Sequence, residues 1–255
     1  MIYSAKVLIL PQNTNFLVVS GTIYNQILIW DSSDGLILCT LVGHQGVILN
    51  IGFDLTTNYL YSVSKESLSI NGKLCSKFYG HDARVWKCIW FRTNNEKLYL
   101  CSIGEDLKCC IWSLSENKLF YRFNTIRKGS KNIWSLCIDE KNLNLITGWQ
   151  DGGLRKYELK WYLEATNENE SCLNELKIKY DLDKDYARTV EIFDDLVICC
   201  TNNGFLYSIS TNGDQKCLLR DENLASYNCM AKISGLLAIG PANGKIFLMK
   251  FLIFN

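Results

Sequence analysis

Three side chains in the middle of the sequence are of the types that nucleophilic catalysis uses. A histidine, a serine and a carboxylate can form a triad in which the histidine takes the serine proton and the carboxylate orients the histidine. They are His81, Ser102 and Asp106, with Trp112 close behind them in the chain.

The same residue types can instead form a buried hydrogen-bond relay. Asp106 can accept from one ring nitrogen of His81, and the other ring nitrogen can meet the Ser102 hydroxyl. The Ser102 hydroxyl can also meet the indole N–H of Trp112. Burial is then tolerable, because each polar group has a partner. We therefore interpret these four residues as a structural relay and not as a catalytic site.

The stretch that carries the relay, residues 80–112, has the pattern of strands joined by tight turns. It reads GHDARVWKCIWFRTNNEKLYLCSIGEDLKCCIW, with two apolar runs around a polar turn and a Gly-Glu-Asp turn before the final Ile-Trp. A Gly-His start and a closing tryptophan at this spacing are typical of a WD repeat, which forms one four-stranded blade of a β-propeller.

Similar units fill most of the chain, so we predict an all-β fold, a WD-type β-propeller of about six blade units. We expect it to be incomplete and part of a larger multi-propeller protein. No long window shows the 3.6-residue period of a helix. The predicted blade units are residues 5–42, 43–79, 80–123, 124–160, 181–220 and 221–255, with a polar insertion at about 161–180.

The first two units depart from the full pattern. In the first, Tyr24 replaces the turn aspartate and no Gly-His precedes it, so we expect the relay to be absent. The second begins with a Gly-His pair that contains His44, but no Asp turn follows Ser64 and the expected tryptophan position falls on Gly72. We interpret this as a lost or shortened third strand, which would leave His44 without an aspartate partner.

The later units are also modified. In the fourth, Thr147, Asp151 and Tyr157 stand in for Ser, Asp and Trp, which predicts a partial relay. The polar residues 164–175 are expected to form an exposed loop, with partner docking as the alternative. The fifth and sixth units each have an Asn-Gly hairpin turn, and the sixth lacks a convincing fourth strand.

The amino-acid composition limits the classes of function that the chain can have. The 255 residues are 48% hydrophobic with a net charge of +1, which suffices for one large core and gives no sign of bulk nucleic-acid attraction. Twelve cysteines lie mostly within apolar runs, and the chain start does not resemble a signal peptide. We expect reduced cysteines in a cytoplasmic protein, no metal site and no membrane span.

No catalytic motif accompanies the relay. The sequence has no Gly-rich phosphate loop before a helix, no GxSxG, no HExxH and no methyl-donor motif. Its glycine-containing segments fit hairpin turns. We predict a protein without enzymatic activity and without a cofactor of its own.

Binding residues are expected at one rim of the propeller. Turns between second and third strands share that rim with the starts of first strands, which places Arg84, Glu105 and Gln150 there. Trp86, Trp90 and Trp134 lie on first strands, where packing is the favoured interpretation and base stacking the alternative.

A basic segment links the third and fourth units. It contains Arg127, Lys128 and Lys131. These side chains could hold nucleic-acid phosphates, and a solvated basic loop is the alternative.

Several segments together resemble one family of WD proteins. They are GTIYNQILIWD, GHQGVILNIGFD, GHDARVWKCIWF, SIGEDLKCCIWS and KGSKNIWSLCIDEKNLNLITGWQDGGLRKY, in that order, within residues 18–157. They are similar to the WD repeat-containing protein 6 family, the WD-repeat partners of a tRNA ribose methyltransferase.

The resemblance implies a non-catalytic scaffold. Such a protein would bind the tRNA 2'-O-methyltransferase subunit and help to position tRNA for methylation of the wobble nucleotide. The cofactor S-adenosylmethionine would belong to the methyltransferase. A general protein-interaction propeller, acting as an assembly hub or substrate receptor, is the alternative.

Overall fold

The computed structural model describes residues 2–9, 16–54, 59–64, 68–70, 76–124, 131–164, 173–176, 179–181, 183–193, 195–210, 213–226, 228–233, 236–241 and 243–250. The chain divides into two compact units, Met1–Thr125 and Ile126–Asn255. Both are built from consecutive antiparallel sheets, which we number as blades 1–6 in chain order. The fold is all-β and of the WD propeller type, as predicted.

Unit 1 contains three four-stranded blades whose strands are paired in chain order. Blade 1 has β1 (Ile2–Ile9), β2 (Phe16–Thr22), β3 (Gln26–Asp31) and β4 (Ile37–Val42). Blade 2 has β5 (Ile48–Asp54), β6 (Tyr59–Ser64), β7 (Leu68–Ile70) and β8 (Ser76–Phe78). Blade 3 has β9 (Val85–Arg92), β10 (Leu98–Gly104), β11 (Lys108–Ser113) and β12 (Lys118–Asn124).

Unit 2 contains blades 4 to 6. Blade 4 has β13 (Ile133–Asp139), β14 (Asn144–Trp149), β15 (Leu154–Glu158) and β16 (Leu173–Leu176), with helix α1 (Leu159–Glu164) between its last two strands. Blade 5 has β17 (Ala187–Phe193), β18 (Leu196–Thr201), β19 (Phe205–Ser210) and β20 (Gln215–Arg220). A 3-10 turn (Glu222–Leu224) leads to blade 6, with β21 (Asn228–Ile233), β22 (Leu236–Pro241) and β23 (Phe247–Lys250).

Apolar side chains pack between neighbouring blades within each unit. Between blades 2 and 3, for example, Val63 and Phe78 pack with Leu100 and Trp112. A comparable cluster joins blades 4 and 5 around Val190. Each fully buried side chain of this kind contributes about 1.5–3 kcal/mol, so packing between blades outweighs any single polar contact. Within each unit, the first strands of successive blades contact each other, which brings the chain segments before them to the same end of the sheets.

The predicted hairpin turns are confirmed. Asn203 and Gly204 connect β18 to β19, and Gly204 has a φ of 84°. A Cβ at Gly204 would lie 2.2 Å from the carbonyl oxygen of Asp221, so the turn needs glycine for its conformation and for space. Gly244 adopts a φ of 79° between β22 and β23.

The third strand of blade 2 is shortened and not lost. Strand β7 has three residues, and it pairs Leu68 with Val63 and Ile70 with Tyr61. Although it is short, this strand extends the sheet by one ladder of paired residues. Gly72, where the expected tryptophan would stand, lies outside the described residues.

The prediction that residues 164–175 form an exposed loop was wrong in its last part. Strand β16 (Leu173–Leu176) pairs with β15, with Leu173 opposite Tyr157, and so supplies the outer strand of blade 4. Polar residues around a four-residue strand hide its alternation. Helix α1 has six residues, which are too few to show a helical period in the sequence.

Blade 6 has three strands over the residues that the structure describes, which leaves residues 251–255 aside. The cysteines within the described segments are free thiols. Seven of them are buried as small apolar side chains: Cys88, Cys101, Cys109, Cys110, Cys137, Cys199 and Cys200.

Candidate functional site

The relay residues of blade 3 lie in one continuous chain of hydrogen bonds. The Nδ1 atom of His81 is 2.9 Å from Asp106 Oδ1, and its Nε2 atom is 2.8 Å from Ser102 Oγ. The indole Nε1 of Trp112 donates to the same Ser102 oxygen at 2.7 Å. The structure therefore brings together all four residues that the sequence singles out.

Asp106 is held in its charged form. Burial alone would raise the pKa of Asp106, but the hydrogen bond and charge of His81 and the backbone N–H groups of Asp82 and Lys108 outweigh it. The net result is a pKa below the usual carboxylate value. Lys108 Nζ lies 3.9 Å from Asp106 Oδ2, which adds to this environment a cation that also pairs with Asp82.

The turn before β11 explains why the relay fits in blade 3. A Cβ at Gly104 would lie 2.8 Å from Asp106 Oδ1 and 3.0 Å from His81 Nδ1, so only glycine leaves room for the histidine. Gly104 pairs with Val85 at the start of β9. The glycine at this position and the histidine of the Gly-His pair are therefore needed together, because the histidine ring fits only beside a glycine.

The Asp–His–Ser order of contacts resembles a catalytic triad, but its setting does not. Ser102 is completely buried, and its oxygen already accepts from the Trp112 indole. The side chains of His81 and Asp106 are 6% and 5% exposed. A nucleophile that cannot meet a substrate carbonyl performs no acyl transfer, so the geometry favours a structural role.

Blade 1 retains one contact of the relay, which corrects the expectation that the relay is absent there. Trp30 Nε1 donates to Ser20 Oγ at 2.7 Å, as Trp112 does to Ser102 in blade 3. Ser20 and Trp30 are the second- and third-strand members of the relay, and their bond does not need the histidine. The Trp30-Asp31 pair in the sequence was the signal for it.

Blade 2 retains the histidine contact. His44 Nε2 lies 2.8 Å from Ser62 Oγ. Burial, and secondarily the positive charge of Lys77, lowers the pKa of His44 to about 4. The ring is therefore neutral at physiological pH.

Blade 4 rebuilds the relay with residues that the sequence analysis missed. Thr147 Oγ1 accepts from the indole of Trp149 at 2.7 Å. Trp149 pairs with Ile133 in the position that Gly104 has opposite Val85 in blade 3. Its indole therefore occupies the side where a histidine would otherwise sit.

Asp151 of blade 4 pairs with an arginine. Arg155 Nη2 donates to Asp151 Oδ2 at 2.6 Å, and the Arg155 guanidinium lies 3.8 Å from the centre of the Trp149 ring. Arg155 is 1% exposed and the Asp151 side chain 18%, so the charge of the arginine is buried and that of the aspartate largely so. The sequence signal was an arginine four residues after the turn aspartate, at a strand position where blade 3 has an apolar residue.

The predicted rim residues occupy the expected ends of their strands. The backbone N–H of Glu105 donates to the carbonyl of Arg84, and their side chains approach to 3.8 Å with 39% and 50% exposure. Gln150 makes the equivalent backbone contact to Asn132 in unit 2. The structure thus pairs Arg84 with Glu105 in unit 1 and places Gln150 in unit 2. Their role as RNA or partner contacts stays a prediction.

The basic segment is described only in part. Lys131 is exposed immediately before blade 4. Arg127 and Lys128 lie outside the described residues. Their proposed contact with phosphates stays a prediction.

The three tryptophans on first strands differ in their surroundings. Trp90 packs against the cluster between blades 2 and 3, and its Nε1 donates to the Phe53 carbonyl at 3.3 Å. Trp86 lies under the Arg84 guanidinium at 5.7 Å. Trp134 is half-buried in unit 2. For Trp90, these contacts support the packing interpretation.

Two further observations concern the described residues as a whole. Among the described segments, no group of three or more His, Cys, Asp or Glu side chains comes together in a way that could hold a metal ion. None of the helices in the described part of the chain has the length and hydropathy to cross a lipid bilayer.

Comparisons with known proteins identify similar regulators. No protein-family profile matches the chain. It is 26% identical over 259 residues to the tRNA (34-2'-O)-methyltransferase regulator WDR6 of Bos taurus, an alignment that covers 90% of this chain and 22% of that protein. The Homo sapiens protein of that name is 24% identical, with the same coverage of both chains.

A more distant organism has a similar protein. The WDR6 regulator of Drosophila melanogaster is 25% identical over 184 residues, which cover 62% of this chain and 18% of that protein. The predicted resemblance to WD repeat-containing protein 6 is therefore confirmed. The chain spans about a fifth of the length of the curated relatives that it matches.

Proposed function

We propose that this chain is a propeller portion of a non-catalytic regulator of a tRNA 2'-O-ribose methyltransferase. In this proposal it binds the methyltransferase subunit in the cytoplasm and helps to position tRNA so that the wobble nucleotide is methylated. S-adenosylmethionine binds to the methyltransferase, and the chain itself contributes no cofactor site.

The observation that carries the proposal is the similarity to WDR6 regulators over 90% of this chain. It is not confined to the generic WD signature, since it extends across blades that lack a complete relay. The antiparallel sheets of unit 1 and of unit 2 are both of the kind found in WD-repeat proteins. A match of fold and sequence over the same residues supports the family's function more than either alone.

The division of labour is supported by the site geometry. The one Asp–His–Ser set in the described residues is buried inside blade 3 and satisfied by its own neighbours. Arg84 at the start of the first strand and Glu105 in the turn after the second strand are accessible charged side chains, which suit contacts with a partner. The chemistry of methyl transfer is therefore assigned to the partner.

Affinity capture of the full-length protein tests the proposal. We expect recovery of a methyltransferase together with tRNA, at a yield that falls as salt rises, because phosphate contacts weaken with ionic strength. Recovery of a ubiquitin ligase or a trafficking complex, without methyltransferase or tRNA, would replace the proposal with a general interaction hub.

A further inference from the structure

Unit 2 carries a half-buried stack of three planar side chains at the starts of two neighbouring first strands. The guanidinium carbon of Arg188 lies 3.9 Å from the centre of the Trp134 ring. The Trp134 ring also stacks with that of Tyr186, with centroids 6.2 Å apart and an angle of 18° between the planes. We propose that this stack is a contact for an unpaired nucleobase of the RNA. The inference rests on the proposed function and adds a base-stacking site to it.

The backbone places these side chains at one end of their blades. The N–H of Gln150 donates to the carbonyl of Asn132, and the N–H of Asn202 donates to the carbonyl of Tyr186, each at 3.0 Å. The same bond joins the start of the first strand to the turn after the second strand in blades 4 and 5. Since β13 and β17 are in contact, the two starts lie side by side.

Amide side chains border the stack. Asn132 Nδ2 donates to Gln150 Oε1 at 2.8 Å, and the Tyr186 hydroxyl donates to Asn202 Oδ1 at 3.0 Å. Asparagine and glutamine amides can donate to and accept from base edges, while aromatic rings and the arginine plane stack on base faces. The combination of planes and amides is the chemistry by which proteins bind unpaired bases.

A second arginine–tryptophan stack in the same unit shows what a purely structural version looks like. Arg155 and Trp149 are fully buried, and Arg155 is neutralised by Asp151. Trp134 and Arg188 retain partial exposure. The first pair serves the interior of blade 4, whereas the second remains at the surface, where a ligand can reach it.

Charge near the stack favours a base over a run of phosphates. The exposed lysines Lys131 and Lys184 are offset by the exposed carboxylates of Asp181 and Asp183. A surface of mixed sign does not match a polyanionic backbone. Recognition here therefore depends on stacking. Because stacking is insensitive to salt, the affinity that it adds should not change with salt concentration.

The test compares tRNA binding by variants of the full-length protein in complex with its methyltransferase. The probe is a fluorescent tRNA transcript, titrated at several salt concentrations. Tyr186→Leu should weaken binding about tenfold, the usual loss when one stacked base loses its aromatic partner, with the slope of log affinity against log salt unchanged. Tyr79→Leu is the matched control, since Tyr79 is a 69% exposed tyrosine of unit 1.

Tyr186→Phe tests whether misfolding, and not the loss of the ring, weakens tRNA binding. It removes the hydroxyl that donates to Asn202 and keeps the ring, so it should bind tRNA nearly as well as the wild type. Wild-type affinity in Tyr186→Leu would overturn this inference and leave the proposed function standing. Loss of methyltransferase capture with tRNA affinity retained would also overturn it, by identifying the stack as a protein contact. A wild-type complex that binds no tRNA would overturn the proposed function itself.

Discussion

The indole nitrogen of Trp149 donates a 2.7 Å hydrogen bond to the hydroxyl of Thr147, two residues earlier on the same strand. In blade 3 the corresponding hydroxyl, Ser102, meets the histidine ring instead. Alternate residues of a strand face the same side, so an indole at this position fills the place of the missing histidine. Blade 4 therefore satisfies the same buried hydroxyl by a different route.

Removing this bond should destabilise the protein. Trp149→Phe keeps most of the ring but leaves the Thr147 hydroxyl in a buried site without its donor, at a cost of about 1–3 kcal/mol in the free energy of unfolding. Trp30→Phe is the matched control, because Trp30 makes the same bond to Ser20 from a half-buried position and should cost less. Denaturant titration measures both, and equal losses would contradict the role assigned to burial.

The buried ion pair of blade 4 predicts an asymmetry between its partners. Asp151→Asn leaves the charge of Arg155 uncompensated in the interior and should cost about 3–5 kcal/mol. Arg155→Met removes that charge and can still pack against Trp149, so it should cost less. The double variant should be no worse than Asp151→Asn alone. An arginine variant as damaging as the aspartate variant would show that the guanidinium is needed for more than its pairing.

His44 gives the protein a pH dependence of known sign. Burial lowers its pKa to about 4, whereas the unfolded chain has the ordinary histidine value of 6.5. The unfolded state therefore binds more protons between these values, so stability is fully present above pH 6.5 and is lost as pH falls towards 4. The loss attributable to His44 should be about 2 kcal/mol, allowing for its partial exposure.

His44→Gln isolates this contribution. Equilibrium unfolding of the variant and the wild type at pH 7 and pH 4.5 should give a smaller pH difference for the variant. The Ser62 hydroxyl keeps a polar neighbour in the variant, which limits the loss at pH 7. An identical pH difference in both proteins would show that His44 is not held neutral.

The cysteines should separate into two classes of reactivity. Burial raises the pKa of Cys110 and of Cys200 to about 12, so neither presents a thiolate at neutral pH. Mass spectrometry after iodoacetamide treatment should find Cys39, Cys217 and Cys229 modified in the native state, since these are exposed. The seven buried thiols should react only after unfolding. Native labelling of Cys110 would contradict the packing of blade 3.

Sequence patterns predicted the fold at positions where few residue types fit the structure. Gly104, His81 and Asp106 each occupy a position where few alternatives fit, so the complete relay of blade 3 could be read directly. Asn-Gly turns were equally readable, because positive φ selects glycine.

Prediction failed where another residue could meet the same requirement. Thr147 needs a donor, and either a histidine from outside the sheet or Trp149 from its own strand can supply it. Strand β16 is likewise invisible as a pattern, since pairing with β15 and not propensity defines it. The Arg188–Trp134 stack joins residues of two consecutive blades that are far apart in sequence, so spacing alone could not predict it.

Reconstituted methyl transfer tests the central claim most directly. Purified methyltransferase, S-adenosylmethionine and a tRNA transcript are combined with and without the full-length protein, and 2'-O-methylation of nucleotide 34 is measured. The account predicts that the protein greatly increases methylation by the methyltransferase and forms no product by itself. An unchanged rate, or methylation by the protein in the absence of the methyltransferase, would contradict it.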